Sequence, residues 1–230
     1  MAKGLLHRRR MMQASGGMDY IQDGLVLWLD GIEKHIELGG WLDLAGSRLF
    51  TIHGAVARDD CFFFSDAYCS FNDLKYNRYD VTIEVVVKKQ RTGWMSIFVT
   101  NGDYTNYRTP AAIRFESDTT IGFDAITDSP IREPLFVSPI PILDHRCTIS
   151  AKSDMVVING QDCTRGNNGA YSSQGNCVVG GRWWQNSFFS TGRFYGEICC
   201  VRMYYRLLSR DEMLHNQRVD NIRFNLGLTL

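Results

Sequence analysis

The chain lacks an excess of charge of either sign: in 230 residues, 25 Lys and Arg balance 25 Asp and Glu. No overall field therefore draws it onto nucleic acid or an anionic membrane, and neither is expected as a partner. It also lacks any apolar run long enough to cross a bilayer, so a soluble globular chain is expected. Proline is scarce, and four of the five prolines fall between residues 128 and 141, which predicts an extended surface excursion or an edge strand there. The seven cysteines lack the close paired spacing of tetrahedral zinc sites; they read as free thiols serving as small apolar residues, and no metal or cofactor is expected. No internal repeat is present.

Catalytic signatures are missing as well. There is no Gly-x-Ser-x-Gly elbow, phosphate loop or His-Glu-x-x-His motif, and His7, His35, His53, His145 and His215 are scattered. A glycosidase needs two carboxylates facing one sugar. Glu84 is the lone carboxylate of its segment and Glu197 has no acidic companion two residues away. The expectation is a chain that is not an enzyme.

What the chain does hold is a regular succession of short alternating segments, which places it in the all-β class. Val81 to Lys89 sets Val81, Ile83, Val85 and Val87 against Thr82, Glu84 and Lys88. Leu25, Leu27 and Leu29 alternate with Val26 and Trp28, a strand covered on both faces. Asp30 and Asp43, beside turns, are expected to accept backbone amides rather than hold calcium. Ser153-Asp154 and Asn159-Gly160 mark turns around the Met155 to Ile158 strand. Near the end, Cys199, Val201, Met203 and Tyr205 share one parity and Arg202 and Arg206 the other, a half-buried strand in which Cys199 and Cys200 should point to opposite faces. Ser209, with Glu212 three residues on, then opens a short helix with a capping box. Val219 to Leu230 is open between a last strand and a tail.

The order of these parts resembles concanavalin A-like (laminin-G-like) jelly-roll modules: Asp23 to Gly31 (DGLVLWLDG), Trp41 to Gly46 (WLDLAG), Met155 to Gln161 (MVVINGQ), Val178 to Arg182 (VVGGR) and the closing Phe194 to Asn216. The resemblance implies an all-β jelly-roll β-sandwich over residues 20–217, preceded by an extended basic arm at 1–19 and followed by a strand or tail at 218–230. It leaves function open, because one fold hosts many.

Two stretches carry functional expectations. In the arm, Leu5, Leu6, Met11 and Met12 are candidates to fill apolar grooves on a partner, while Arg8, Arg9 and Arg10 meet its acidic groups; a solvated tail is the other reading. The opening Leu-Leu-His-Arg-Arg-Arg-Met-Met, with its glycine-rich joint and sandwich, is similar to small virion proteins of tailed bacteriophages of gut bacteria. That implies a capsid-decoration, head-fibre or tail-associated protein assembled in the host cytoplasm, oligomeric and bound to other virion proteins. The alternative is an exported bacterial carbohydrate-binding module at the cell surface. Sugars stack on aromatic faces and take hydrogen bonds from amides, so Tyr104, Asn106, Tyr107, Trp183, Trp184 and Asn186 are the candidate glycan contacts. Of the two adjacent tryptophans, an extended backbone sends one inward.

Overall fold

The computed structural model describes residues 19–72, 74, 80–100, 111–124, 133–169, 177–184, 187–188 and 191–230, without the side chains of 133, 168, 169, 183, 184 and 187. In chain order the strands are β1 (Leu25–Asp30), β2 (Gly40–Leu42), β3 (Leu49–His53), β4 (Val56–Ala57), β5 (Phe62–Phe64), β6 (Tyr68–Phe71) and β7 (Thr82–Lys89). There follow β8 (Met95–Val99), β9 (Ala112–Phe115), β10 (Thr120–Asp124), β11 (Glu133–Val137), β12 (Arg146–Lys152) and β13 (Met155–Ile158). The series ends with β14 (Gln161–Asp162), β15 (Thr164–Gly169), β16 (Cys177–Val179), β17 (Trp183–Trp184), β18 (Ser187–Phe188), β19 (Gly196–Tyr204) and the helix α1 (Arg210–Arg223).

Two antiparallel sheets make a sandwich. The eight-stranded sheet runs β14-β13-β12-β7-β19-β5-β4, with β1 also on β19; the nine-stranded sheet runs β15-β11-β10-β9-β8-β16-β6-β3-β2. Their inner faces share one core, including Ile83, Val85 and Val87 of β7, Ile149 of β12, Phe62 and Phe64 of β5, Phe98 of β8, Ile113 and Phe115 of β9 and Trp41. Burying each such side chain is worth about 1.5–3 kcal/mol. The period-2 reading of β7 therefore gives its core face directly.

Three local readings are revised. Pro134 does not sit on an edge: β11 is flanked by β10 and β15, and its pairing slips between Pro134 and Phe136, a bulge being where an inner strand tolerates a missing amide. In β19 the register slips between Ile198 and Cys200. The extra residue, Cys199, turns to the same side as Cys200, and both pack beneath Trp28, Val219 and Phe224 while Ile198, Val201 and Met203 face the main core. The two cysteines thus share a face. Finally, α1 has the expected capping box at Ser209 and Glu212 but runs fourteen residues, through Val219 to Arg223. Its buried residues include Asn216, Gln217, Asp220 and Arg223, a polar stripe that no apolar periodicity announces.

Other readings hold. Asp43 Oδ1 accepts the amides of Trp28 and Ala45, and Asp30 Oδ1 those of Ile32 and Glu33. All seven cysteines are free, and six are buried; burial pushes the Cys147 thiol up to about 11, so it behaves as an apolar group.

Candidate functional site

The two outer faces of the sandwich differ. On the eight-stranded sheet the polar residues that alternate with the core are roofed by α1. Arg202 of β19 donates to both oxygens of Asp220 at 2.7 Å and from Nε to Glu84 at 3.0 Å. Asn216 donates to Glu84 at 2.8 Å, Ser150 to the other Glu84 oxygen at 2.8 Å, and Tyr20 and Thr148 to Asp220 at 2.8 and 2.6 Å. Burial raises the Glu84 carboxyl above its ordinary range even though Arg202 acts to lower it, and burial raises the Tyr20 hydroxyl, with Asp220 adding to the effect. Glu84, Arg202, Asp220 and Asn216 are fully buried. Two carboxylates do converge here, but on a guanidinium with no opening between them, so the network fastens the helix to the sheet.

The outer face of the nine-stranded sheet is built differently. Thr51, Ser70, Val178, Val99, Ala112 and Asp124 are successive register partners across six strands, and all but Thr51 are buried. To one side lies buried Arg114, whose Nη1 reaches both oxygens of Asp124 at 2.6 and 2.5 Å and whose Nε reaches Glu116 at 3.0 Å. Gly122 opposite makes room for it: a Cβ there would lie 2.5 Å from the guanidinium carbon.

To the other side stands a column of rings. His53 of β3 and Tyr68 of β6 are register partners and stack at 4.2 Å; Phe188 of β18 stacks on Tyr68 at 3.8 Å; the Arg193 guanidinium lies 4.9 Å over Phe188. His53 Nε2 is 3.0 Å from Ser70 Oγ. Beside the column, Trp94 carries the Arg182 guanidinium at 4.8 Å. Phe188 and Trp94 fit against Gly181 and Gly192, where a Cβ would come within 2.4 and 1.1 Å of the ring atoms. His53, Thr51 and Asp66 are exposed, and Tyr68, Phe188, Trp94 and Arg193 half-buried. Among the described residues, none of the three stacked rings belongs to a hydrophobic cluster of the interior. Flat faces beside hydroxyl, carboxylate and guanidinium groups can stack on the C–H faces of a sugar and hydrogen-bond its hydroxyls.

Leu5, Leu6, Arg8, Arg9, Arg10, Met11 and Met12 of the arm, and Tyr104, Asn106, Tyr107 and Asn186, lie outside the described residues. Trp183 and Trp184 form β17, which pairs with β18 so that Trp183 stands at the register position opposite Phe188. Among its glycan contacts the sequence reading named none of His53, Tyr68 and Phe188, which come from three separate strands.

No protein-family model and no curated protein matches the sequence. Solved structures do match. A Trypanosoma rangeli sialidase in complex with sialic acid superposes with a TM-score of 0.58 at 12% identity, over 86% of this chain and 33% of the sialidase. A mutant of that sialidase displaying trans-sialidase activity gives 0.59 at 11% identity over 93% and 38% of the two chains. A Ruminococcus gnavus sialidase CBM40 bound to α2,3-sialyllactose superposes more loosely, at 0.47 and 19% identity, over 60% of this chain and 83% of that one. At such identities what is shared is the fold: this chain is an all-β jelly-roll sandwich of the concanavalin A-like kind, and it spans about a third of the length of the sialidases.

Two functional expectations change. The chain was read as not an enzyme, and that exclusion is overturned: the structures that share its fold include sialidases, one of them captured as a covalent intermediate with difluorosialic acid. Missing strand-borne carboxylate pairs fail as a criterion, because a motif for one glycosidase group does not speak for others that carry the fold. The bacteriophage reading draws no support from the sialidase structures, neither of which is a virion component.

Proposed function

We propose that the chain is a carbohydrate-binding module whose glycan lies on the outer face of the nine-stranded sheet, along the ring column. The observation that carries this reading is the His53–Tyr68–Phe188 stack with Arg193 over its end, an aromatic assembly outside the hydrophobic interior. Aromatic area left at the surface and backed by a rigid sheet is a feature of recognition sites. The sharing of a fold with sialidase chains is in keeping with a saccharide ligand. Thr51, Asp66 and His53 are exposed and can supply hydrogen bonds, and Trp183 and Trp184 lie in the hairpin that carries Phe188.

The test is a glycan array probed with the full chain, followed by calorimetry on any hit. A saturable hit that Trp183→Ala or Tyr68→Ala weakens supports the reading; an array with no binding, across neutral and acidic glycans, contradicts it.

A further inference from the structure

The eight-stranded sheet carries a second constellation, independent of the glycan reading. Asp60, in the bend before β5, Cys61, the residue preceding β5, and Cys199 of β19 present a carboxylate oxygen and two sulfurs all within 4.8 Å of one another. Antiparallel pairing of β5 with β19 places Phe62 beside Ile198. The bulge then rotates Cys199 to the side that Cys61 already occupies. A hundred and more residues separate the two thiols in sequence, so no spacing rule could have paired them.

We propose that Asp60, Cys61 and Cys199 form a binding site for a thiophilic divalent cation of the zinc class. A tetrahedral ion with Zn–S bonds of about 2.3 Å and a Zn–O bond of about 2.0 Å holds its two sulfurs about 3.8 Å apart and each sulfur about 3.5 Å from the oxygen, so from separations within 4.8 Å the donors have to close by no more than about 1.3 Å. The carboxylate sits on an irregular segment that can supply that movement. Two thiolates and a carboxylate around a dication leave one negative charge. Arg146 balances it from outside the donor set: its Nη1 is 2.6 Å from Asp60 Oδ2, and its Nη2 reaches Glu197 at 2.8 Å. Such an outer partner orients a ligating carboxylate. Sulfur donors favour zinc-like ions over magnesium or calcium. Binding releases the thiol protons, and three protein donors leave the fourth position to water.

The backbones are close-packed beside the donors. Gly31 donates its amide to Cys199 O at 2.7 Å, and a Cβ on it would lie 2.4 Å from Asp60 O and 2.7 Å from Cys61 Cα, so the strands can meet only with glycine there. Both thiols are buried, and the carboxylate is the donor that reaches solvent. The Asp60 side chain is 32% exposed, and Arg146 lines a cleft of about 470 Å³ together with His145, Ile140 and Phe224.

The experiment is a Co²⁺ titration of the reduced full chain under anaerobic conditions, read by the thiolate-to-cobalt charge-transfer absorption and the ligand-field bands of tetrahedral cobalt. The expected result is one equivalent bound, displaced by Zn²⁺, with the charge-transfer absorption lost in Cys61→Ser and in Cys199→Ser and kept in Cys177→Ser, whose thiol lies in the main core. Asp60→Asn, on the surface bend, leaves the thiols in place and is expected to weaken cobalt binding tenfold or more. No charge-transfer absorption in the parent chain, or an absorption that survives in folded Cys61→Ser or is unmoved in affinity by Asp60→Asn, overturns the proposal.

Discussion

Arg202 and Asp220 meet as a two-pronged pair, each nitrogen 2.7 Å from its oxygen, with both side chains at zero exposure. This contact joins the closing strand to the closing helix, with Asn216 donating to the Tyr204 hydroxyl beside it, and Glu84 and Tyr20 bond to the pair. Removing one partner of such a pair strands the other in a dry interior. Asp220→Asn is therefore expected to cost about 3–5 kcal/mol, read as a lower urea midpoint at unchanged slope. By contrast, Asp162→Asn, which breaks the exposed pair with Arg210, should change stability by less than about 1 kcal/mol.

The helix start offers a pH-dependent prediction. Hydrogen bonds from Arg206 hold the Glu212 carboxyl down at about 2, against a partial burial that acts the other way, with the Ser209 amide assisting. Because the folded value lies below the ordinary 4.5, the contribution is complete above pH 4.5 and is lost as the pH falls toward 2. Glu212→Gln should cost about 1 kcal/mol or less at pH 7, since solvent screens the pair. The difference from the parent chain should shrink through that acid window. A gap that stays constant from pH 7 to 2 contradicts the assignment.

Gly192 combines a left-handed backbone (φ 75°) with a Cβ position 1.1 Å from a Trp94 ring atom. Gly192→Ala must displace the indole as well as strain the backbone. A loss of about 1–3 kcal/mol is expected, accompanied by a change in tryptophan emission; parent-like stability and emission would show that the ring does not rest there.

How much of this was legible in the sequence depends on the range of the signal. Within single strands the alternation of β7, the turn at Asn159-Gly160 (φ 47° and 79°) and the Ser209–Glu212 capping box came through, because each is set by residues a few positions apart. The bulge at Cys199 did not: an inserted residue breaks parity without altering composition. Nor did the extent of α1, whose buried stripe is Asn216, Gln217, Asp220 and Arg223 and whose partners, Glu84, Ser150 and Arg202, lie up to 132 residues away. The ring column was hidden for the same reason, since His53, Tyr68 and Phe188 become neighbours only through sheet order. Lone histidines read as structural, and His53 showed no sign of standing against a tyrosine.

Calorimetric titration of the best array glycan into the parent chain, Tyr68→Ala, Phe188→Ala and, as a control on the other sheet, Val56→Ala tests the central claim most directly. Loss of a stacking ring is expected to weaken binding by about tenfold, the equivalent of about 1.4 kcal/mol, in both column variants and not in Val56→Ala. Equal affinity in folded Tyr68→Ala and Phe188→Ala would place the glycan elsewhere and contradict the account.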